Sequence, residues 1–417
     1  MSHSKSPQLM KLYKPLMDNY QYLVQKSSSR SNKNLESIKT YFSDEELYYL
    51  GNKSVSIVGT NGKTSTATML NGLLLSEGVK TCLFTSPHLI ALNERIQTNT
   101  NTISDSELDS HMSSLRAFEN ENNIVLGYFE SIFLIAAKTF IEKELGIFIV
   151  EAGIGGRLDT TSILNSRTVC LTNVGLDHTE LLGNSVKEIL HEKLLVSQQI
   201  ENFILGSSQI HKEYESYIKS LLNITDNQYS LGFVSESRNT LKANAQKNYV
   251  KSNQNTAQAV GKVILNNLNI NKNTGEFTTS HKYIRPVGRF QIINEKPNFK
   301  ILDGAHNPPG IKAFFDLLED SYSEHETNRI DCYIAFNKNK DFEKMVNIIW
   351  SKKYVNVKIL EDDLFDDQLD SRLLCEYHNS EGKQFAKGTL NEFHSTNKPS
   401  ILLGSLYLVG EYIKEYK

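Results

Sequence analysis

Ser54-Val55-Ser56-Ile57-Val58-Gly59-Thr60-Asn61-Gly62-Lys63-Thr64-Ser65 is a β-branched run that breaks on a glycine turn and leads into the apolar, helix-patterned residues 67–75. Strand, glycine turn and helix start, in that order, form a phosphate-binding arrangement. Glycines let the backbone approach phosphate oxygens, and the unpaired N–H groups of a helix N-terminus point at the anion. Lys63 adds a cation, and a hydroxyl from Thr64 or Ser65 can reach a magnesium ion. The spacing is the short GxxGK form, because the position five before Gly62 is Ile57 rather than glycine. Gly59, Thr60, Asn61, Gly62, Lys63, Thr64 and Ser65 are therefore expected to hold the phosphates of ATP.

Working outward, short β-rich runs alternate with helical patterns. Strands are predicted at 54–58, 81–85, 147–151 and 168–173, and helices at 64–75, 128–144 and 185–199. Apolar, β-branched strands separated by helices indicate an α/β fold: a mostly parallel sheet flanked by helices. Residues 26–34 (KSSSRSNKN) read as a polar loop between N-terminal helical segments. A helical pattern at 255–268 is followed by a polar stretch at 270–282. The β–α alternation then restarts at 298–303 and continues through 330–336, 355–360 and 400–403, and a helix at 406–416 closes the chain. A length of 417 residues exceeds what one core usually supports. The reading is a P-loop domain over 1–296 and a smaller, Rossmann-like α/β domain over 297–417.

A formal charge of -3 gives no basic face for a nucleic-acid backbone. The four cysteines, Cys82, Cys170, Cys332 and Cys375, form no CxxC pair and suggest neither disulfides nor zinc. The polar N-terminus lacks the apolar core of a signal peptide, and the apolar run near 131–140 is interrupted by Lys138 and too short to span a bilayer. A cytoplasmic monomer acting on small molecules, with no membrane or nucleic-acid partner, is expected.

Ligands of open α/β sheets bind outside the carboxyl ends of the strands. Three further segments lie there: Thr85-Ser86-Pro87-His88-Leu89, Glu151-Ala152-Gly153-Ile154-Gly155-Gly156-Arg157 and Asn173-Val174-Gly175-Leu176-Asp177-His178-Thr179. A carboxylate ending an apolar strand is costly without a partner, so Glu151 is expected to face a metal ion or Arg157. Singly, Ser86, Glu151 and His178 read as ordinary turn or strand-end residues. Their joint placement on the edge that carries the phosphate loop makes them a site.

These segments resemble the folylpolyglutamate synthase/dihydrofolate synthase family, within the larger Mur ligase superfamily. GTNGKTS is similar to its phosphate loop, and TSPHL with Asn93-Glu94-Arg95-Ile96 to its folate-binding loop. Tyr128-Phe129-Glu130, EAGIGGRLDTT and TNVGLDHTELLG resemble its central motifs. Pro286-Val287-Gly288-Arg289-Phe290-Gln291, Asp303-Gly304-Ala305-His306-Asn307-Pro308 and Gly404-Ser405-Leu406-Tyr407-Leu408-Val409-Gly410 resemble its C-terminal half. The resemblance implies that ATP phosphorylates the carboxylate of dihydropteroate or a reduced folate and that L-glutamate then displaces phosphate. It implies Lys63 on the β/γ-phosphates, Ser86 and Glu151 on a first Mg2+, and His178 with Glu151 on a second. Lys193 matches a family lysine that becomes carbamylated; read alone it is a solvated surface lysine. Ser86, Pro87, His88, Arg95 and Phe129 would meet the folate or pteroate. Asn255, Arg289, Asp303 and His306 would grip ATP, in a cleft between domains. Thr64 stands where the family commonly has glycine, and Leu194-Leu195 where it usually has Ala-Gly.

Three alternatives stand beside a bifunctional enzyme. A Mur ligase with a UDP-linked substrate carries a separate substrate domain before its phosphate loop, and the 58 residues before Gly59 are few for it. A nucleotide switch would need the loop but not Glu151, His178 and Arg289 together. A monofunctional folylpolyglutamate synthase would share every motif.

Overall fold

The computed structural model describes residues 19, 21–23, 25–26, 34–233, 248–270, 284–294, 298–322 and 329–416. Most of the predicted 26–34 loop and of the polar stretch 270–282 lies outside them. Two compact units divide the chain. The first holds the described residues of Met1–Ser235 and Asn253–Ile284, the second those of Glu236–Ser252 and Arg285–Lys417.

In the first unit, helices α1 (Leu35–Lys39) and α2 (Asp44–Lys53) lead to strand β1 (Ser54–Val58) and helix α3 (Lys63–Ser76). Strands β2 (Thr81–Phe84), β3 (Ile96–Thr98) and β4 (Asn101–Thr102) follow, then helices α4 (Asp105–Asn122) and α5 (Tyr128–Glu142). Next come β5 (Ile147–Glu151), β6 (Thr168–Leu171), α6 (Thr179–Leu182), α7 (Val186–Leu194), β7 (Asn202–Leu205), α8 (Ser208–Leu222), β8 (Tyr229–Leu231) and α9 (Tyr249–Asn267), whose first residues, to Ser252, belong to the second unit. The sheet order is β4-β3-β2-β5-β1-β6-β7-β8. The six strands from β2 to β8 pair in parallel, and β3 and β4 add an antiparallel edge. Every residue of β1, β2, β5 and β6 is buried, as a sheet covered on both faces requires. Phe148 of β5 stacks on Phe140 of α5 with ring centroids 5.2 Å apart, tying the helix layer to the sheet.

This order fixes the site. β1 lies between β5 and β6, with Ile57 opposite Glu151 and Val58 opposite Leu171. The Gly59–Gly62 loop after β1 is therefore flanked by the Glu151 loop on one side and the Asn173–His178 loop on the other.

The second unit carries β9 (Gln291–Asn294), β10 (Lys300–Asp303), α10 (Pro308–Ser321), β11 (Ile330–Ile334), α11 (Phe342–Trp350) and β12 (Val355–Leu360). It ends with α12 (Ser371–Ser380), β13 (Ala386–Gly388), α13 (Leu390–Ser395), β14 (Ser400–Leu403) and α14 (Leu406–Tyr416). Its order is β13-β12-β11-β14-β10-β9, parallel except for β9. The boundary predicted near residue 296 is corrected to Ile284/Arg285, because β9 pairs with β10 and belongs to the second sheet. The helix predicted over 185–199 ends at Leu194, and that predicted over 255–268 begins earlier, at Tyr249.

Among the described residues, no helix is long and apolar enough to cross a membrane.

Candidate active site

The loop between β1 and α3 is held by its neighbour rather than by itself. The Thr60 amide donates to the Asn173 carbonyl at 3.0 Å, and the Asn61 amide to Asn173 Oδ1 at 2.9 Å. Thr60 Oγ1 donates to the Gly175 carbonyl at 3.1 Å and accepts from the Gly175 amide at 3.0 Å. Thr172 Oγ1 donates to the Asn61 carbonyl at 2.7 Å. Gly62 caps α3 at φ 83, in the left-handed region, and no side chain closes the helix start. The first N–H groups of α3 thus face outward, the geometry that takes an anion. Lys63 Nζ folds back onto the Gly59 carbonyl at 3.1 Å, above the loop.

Glu151 ends β5 only 2% exposed. Thr64 Oγ1 donates to its two carboxylate oxygens at 2.8 and 3.0 Å, and the Ser86 amide donates at 3.1 Å. Ser65, the other hydroxyl after Lys63, is buried within α3. Of the two partners expected for Glu151, a metal ion or Arg157, the arginine is engaged elsewhere: its Nε meets Glu192 Oε2 at 3.1 Å, and its amide donates to the Glu192 carbonyl at 2.9 Å. The glycine turn makes this possible. A Cβ on Gly156 would stand 2.6 Å from the Lys193 carbonyl, so only glycine lets the turn lie against the end of α7.

Lys193 is not a surface lysine. It is 4% exposed, and its Nζ donates to the Gly59 carbonyl at 3.1 Å. Burial, reinforced by the charge of Lys63, brings its pKa down to about 7, against the opposing pull of Asp177, Asp159 and Glu192. Its helix stripe carried the signal: Ile189, Leu190, Lys193 and Leu194 are the buried residues of α7, at the spacing of one helix face.

His178 caps α6 in the left-handed conformation, φ 49, with its amide on Asp177 Oδ1 at 3.0 Å. Its ring nitrogens lie 3.9 Å from Asp177 Oδ1 and 4.0 Å from Glu180 Oε1. A non-glycine residue held there costs of order 1 kcal/mol, a strain that concentrates at functional loops.

On the other side of Glu151, the Ser86–Pro87 peptide is cis. Glu94 closes the following turn by accepting from the Leu89, Ile90 and Ala91 amides. His88 Nδ1 accepts from Arg95 Nε at 2.9 Å. Burial, then the neighbouring Arg95 charge, lowers the His88 pKa to about 4, leaving it neutral. The Arg95 guanidinium lies 5.2 Å from the Tyr128 ring centroid, and Phe129 packs edge-on against Phe84 at 5.6 Å.

In the second unit, Asp303 is 3% exposed. Its Oδ1 accepts from the Ala305 amide at 2.7 Å, and its Oδ2 from the Phe290 amide at 2.6 Å and the Tyr249 hydroxyl at 2.8 Å. Arg289 is close enough to oppose the rise in pKa that burial imposes on this carboxyl. His306 Nδ1 donates to the Gly304 carbonyl at 2.8 Å.

The chain matches no family model. It is 30% identical over 337 residues to the dihydrofolate synthase/folylpolyglutamate synthase of Buchnera aphidicola subsp. Schizaphis graminum, covering 79% of each chain. The chain belongs to the dihydrofolate synthase/folylpolyglutamate synthase family. A family member from Bacillus subtilis is 25% identical over 394 residues, 88% of this chain and 90% of its own. The fold matches the bifunctional folylpolyglutamate synthase/dihydrofolate synthase of Yersinia pestis, crystallised with AMPPNP and a Mn ion, with a TM-score of 0.76 at 22% identity over 96% of this chain and 98% of that one.

The oxygen donors of this family member suit a hard divalent ion. A buried carboxylate, the Thr64 hydroxyl beside it and an adjacent phosphate cradle are what Mg2+ needs, since it keeps waters and takes the rest of its ligands from phosphates. Among the described residues no three His, Cys, Asp or Glu side chains converge into an all-protein metal cage. Two contributors escaped the sequence reading. Asn253 packs on the loop, its Oδ1 2.5 Å from where a Gly62 Cβ would stand, and Tyr249 bonds Asp303. Asn255, expected to grip ATP, lies half-buried on the same helix.

Proposed function

We propose that this chain is an ATP-dependent amide ligase that joins L-glutamate to dihydropteroate and to reduced folates through an acyl phosphate. The observation that carries this is the convergence of Thr64, Ser86 and the buried Glu151 carboxylate at the mouth of the phosphate loop. That arrangement belongs to phosphoryl transfer. A carboxylate is a poor acyl donor because oxide would have to leave; phosphorylation supplies a leaving group, and the glutamate amine then attacks the acyl carbon and expels phosphate.

In this reading the α3 N–H groups and Lys63 hold the β- and γ-phosphates and neutralise charge as the γ-phosphoryl group moves. Ser86, Thr64 and Glu151 would hold the first Mg2+, and His178 with Glu151 a second. Divalent ions there supply electrostatic stabilisation of the crowded oxygens. Lys193, with its pKa of about 7, has free amine at neutral pH. That amine can add to CO2 with loss of a proton, giving a carbamate, which would convert a buried cation into an anionic ligand. Ser86, Pro87, His88, Arg95 and Phe129 would receive the pteroyl substrate, with Arg95 its cation. Arg289, His306 and Asn255 would hold ATP. The first unit (Met1–Ser235 with Asn253–Ile284) would serve as the ATP-binding domain and the second (Glu236–Ser252 with Arg285–Lys417) as the glutamate-ligase domain. The protein would work as a cytoplasmic monomer on small molecules, with no nucleic-acid partner.

Phosphate release from ATP, measured with L-glutamate and either dihydropteroate or tetrahydrofolate, tests the proposal. Release with both acceptors is expected. Release with tetrahydrofolate alone would leave a monofunctional folylpolyglutamate synthase, and release with neither would overturn the ligase reading.

A further inference from the structure

Arg289 sits at the tip of a turn whose neighbours on both sides have positive φ: Gly288 at 73 and Phe290 at 43. Phenylalanine pays for that conformation, so the turn persists only where its surroundings over-determine it. Four contacts do so. The Phe290 ring is buried against Phe314 at 5.5 Å, and its amide donates to Asp303 Oδ2 at 2.6 Å. The Gly288 amide donates to Gln291 Oε1, and the Gly288 carbonyl accepts from the Gly304 amide, both at 2.9 Å. Asp303 is the hub, since it also takes the Ala305 amide just before His306. The Tyr249 hydroxyl is the remaining donor to this buried carboxylate, and its ring packs on the core of the second unit.

We infer that Tyr249 is a positioning residue for nucleotide binding: through Asp303 it locks the Gly288–Gln291 turn in the conformation that presents Arg289. The inference rests on the reading of Arg289 as an ATP-holding group. It gives Asp303 a role different from the one expected of it. With three donors on a buried carboxylate, Asp303 braces the turn that presents Arg289. Removing the hydroxyl leaves a buried anion short of a donor, and the amide bonds that set the turn must readjust. Arg289 then loses its fixed direction while its charge remains.

The test measures phosphate release against ATP concentration for Tyr249→Phe, Arg289→Ala and the double variant. Tyr249→Phe should raise KM for ATP about fivefold, the worth of one ordinary hydrogen bond, with a smaller change in kcat. In the Arg289→Ala background it should add nothing, because the group it orients is gone. Gln291→Met, which removes the side-chain acceptor of the Gly288 amide, should reproduce the KM effect and keeps the test open should Tyr249→Phe fold poorly. An unchanged KM in both Tyr249→Phe and Gln291→Met, or a Tyr249→Phe effect that multiplies with that of Arg289→Ala, would overturn the brace while leaving Arg289 as an ATP ligand. An Arg289→Ala variant with unaltered KM for ATP would instead overturn the reading beneath it, and the brace with it.

Discussion

Replacing Lys193 with methionine should make the nucleotide-free protein more stable while abolishing turnover. The amine is 4% exposed, and its pKa falls from 10.5 to about 7, chiefly through burial. The folded pKa lies below the unfolded one, so the unfolded chain binds the extra proton first. Stability is therefore lost as pH falls from 10.5 towards 7 and changes little below that. At about 1.4 kcal/mol per pH unit, the full cost at pH 6 is about 5 kcal/mol, and at pH 9 about 2 kcal/mol. Methionine keeps the length of the side chain without the charge, and forgoes the bond to the Gly59 carbonyl, worth about 1 kcal/mol. Urea unfolding in CO2-free buffer should show Lys193→Met ahead of the parent by about 4 kcal/mol at pH 6, narrowing by about 3 kcal/mol at pH 9. A variant less stable than the parent at pH 6, or a gap that does not narrow, would refute the buried amine. Restoring activity with Lys193→Arg would refute its proposed chemistry, because a guanidinium cannot form the carbamate.

Gly62→Ala should weaken ATP binding severely and destabilise the fold by about 1–3 kcal/mol, because φ is 83 and the new Cβ would stand 2.5 Å from Asn253 Oδ1; nucleotide titration and urea midpoints check both. His378 is fully buried, with Nδ1 donating to the Leu374 carbonyl and Nε2 without a hydrogen-bond partner among the described residues. Burial depresses its pKa below the ordinary 6.5, so stability is held above that pH and lost as pH falls below it. His378→Leu should flatten that part of the pH–stability curve, read from urea midpoints between about pH 7.5 and 5.

Four strands of the first sheet, β1, β2, β5 and β6, were legible as short β-branched, largely apolar runs, with Glu151 a carboxylate ending one of them; β3, β4, β7 and β8, with two to four residues each, were not. The turn between β1 and α3 was legible as glycines placed between a strand and a helix. Long-range pairing was not. Of the metal ion and Arg157 expected opposite Glu151, the arginine is taken by Glu192, 35 positions on. Lys193 passed for a solvated residue because a single lysine says nothing of the apolar residues beside it on a folded helix. α4 hides its core face, Leu108, Met112, Leu115 and Glu119, among polar residues, and even that face includes a charge. Its Glu119 is buried because Lys26, Tyr22 and the Leu126 amide all bond it, partners that no local pattern announces. The domain boundary slipped for a similar reason: β9 is only four residues long and joins the second sheet through pairing.

The central claim is the acyl phosphate formed at the Thr64–Ser86–Glu151 corner. Dihydropteroate labelled with 18O in its carboxylate, incubated with the protein, ATP and L-glutamate, tests it most directly. One 18O atom is expected in the inorganic phosphate for each glutamyl amide formed, read by mass spectrometry. Amide formation with unlabelled phosphate would contradict it.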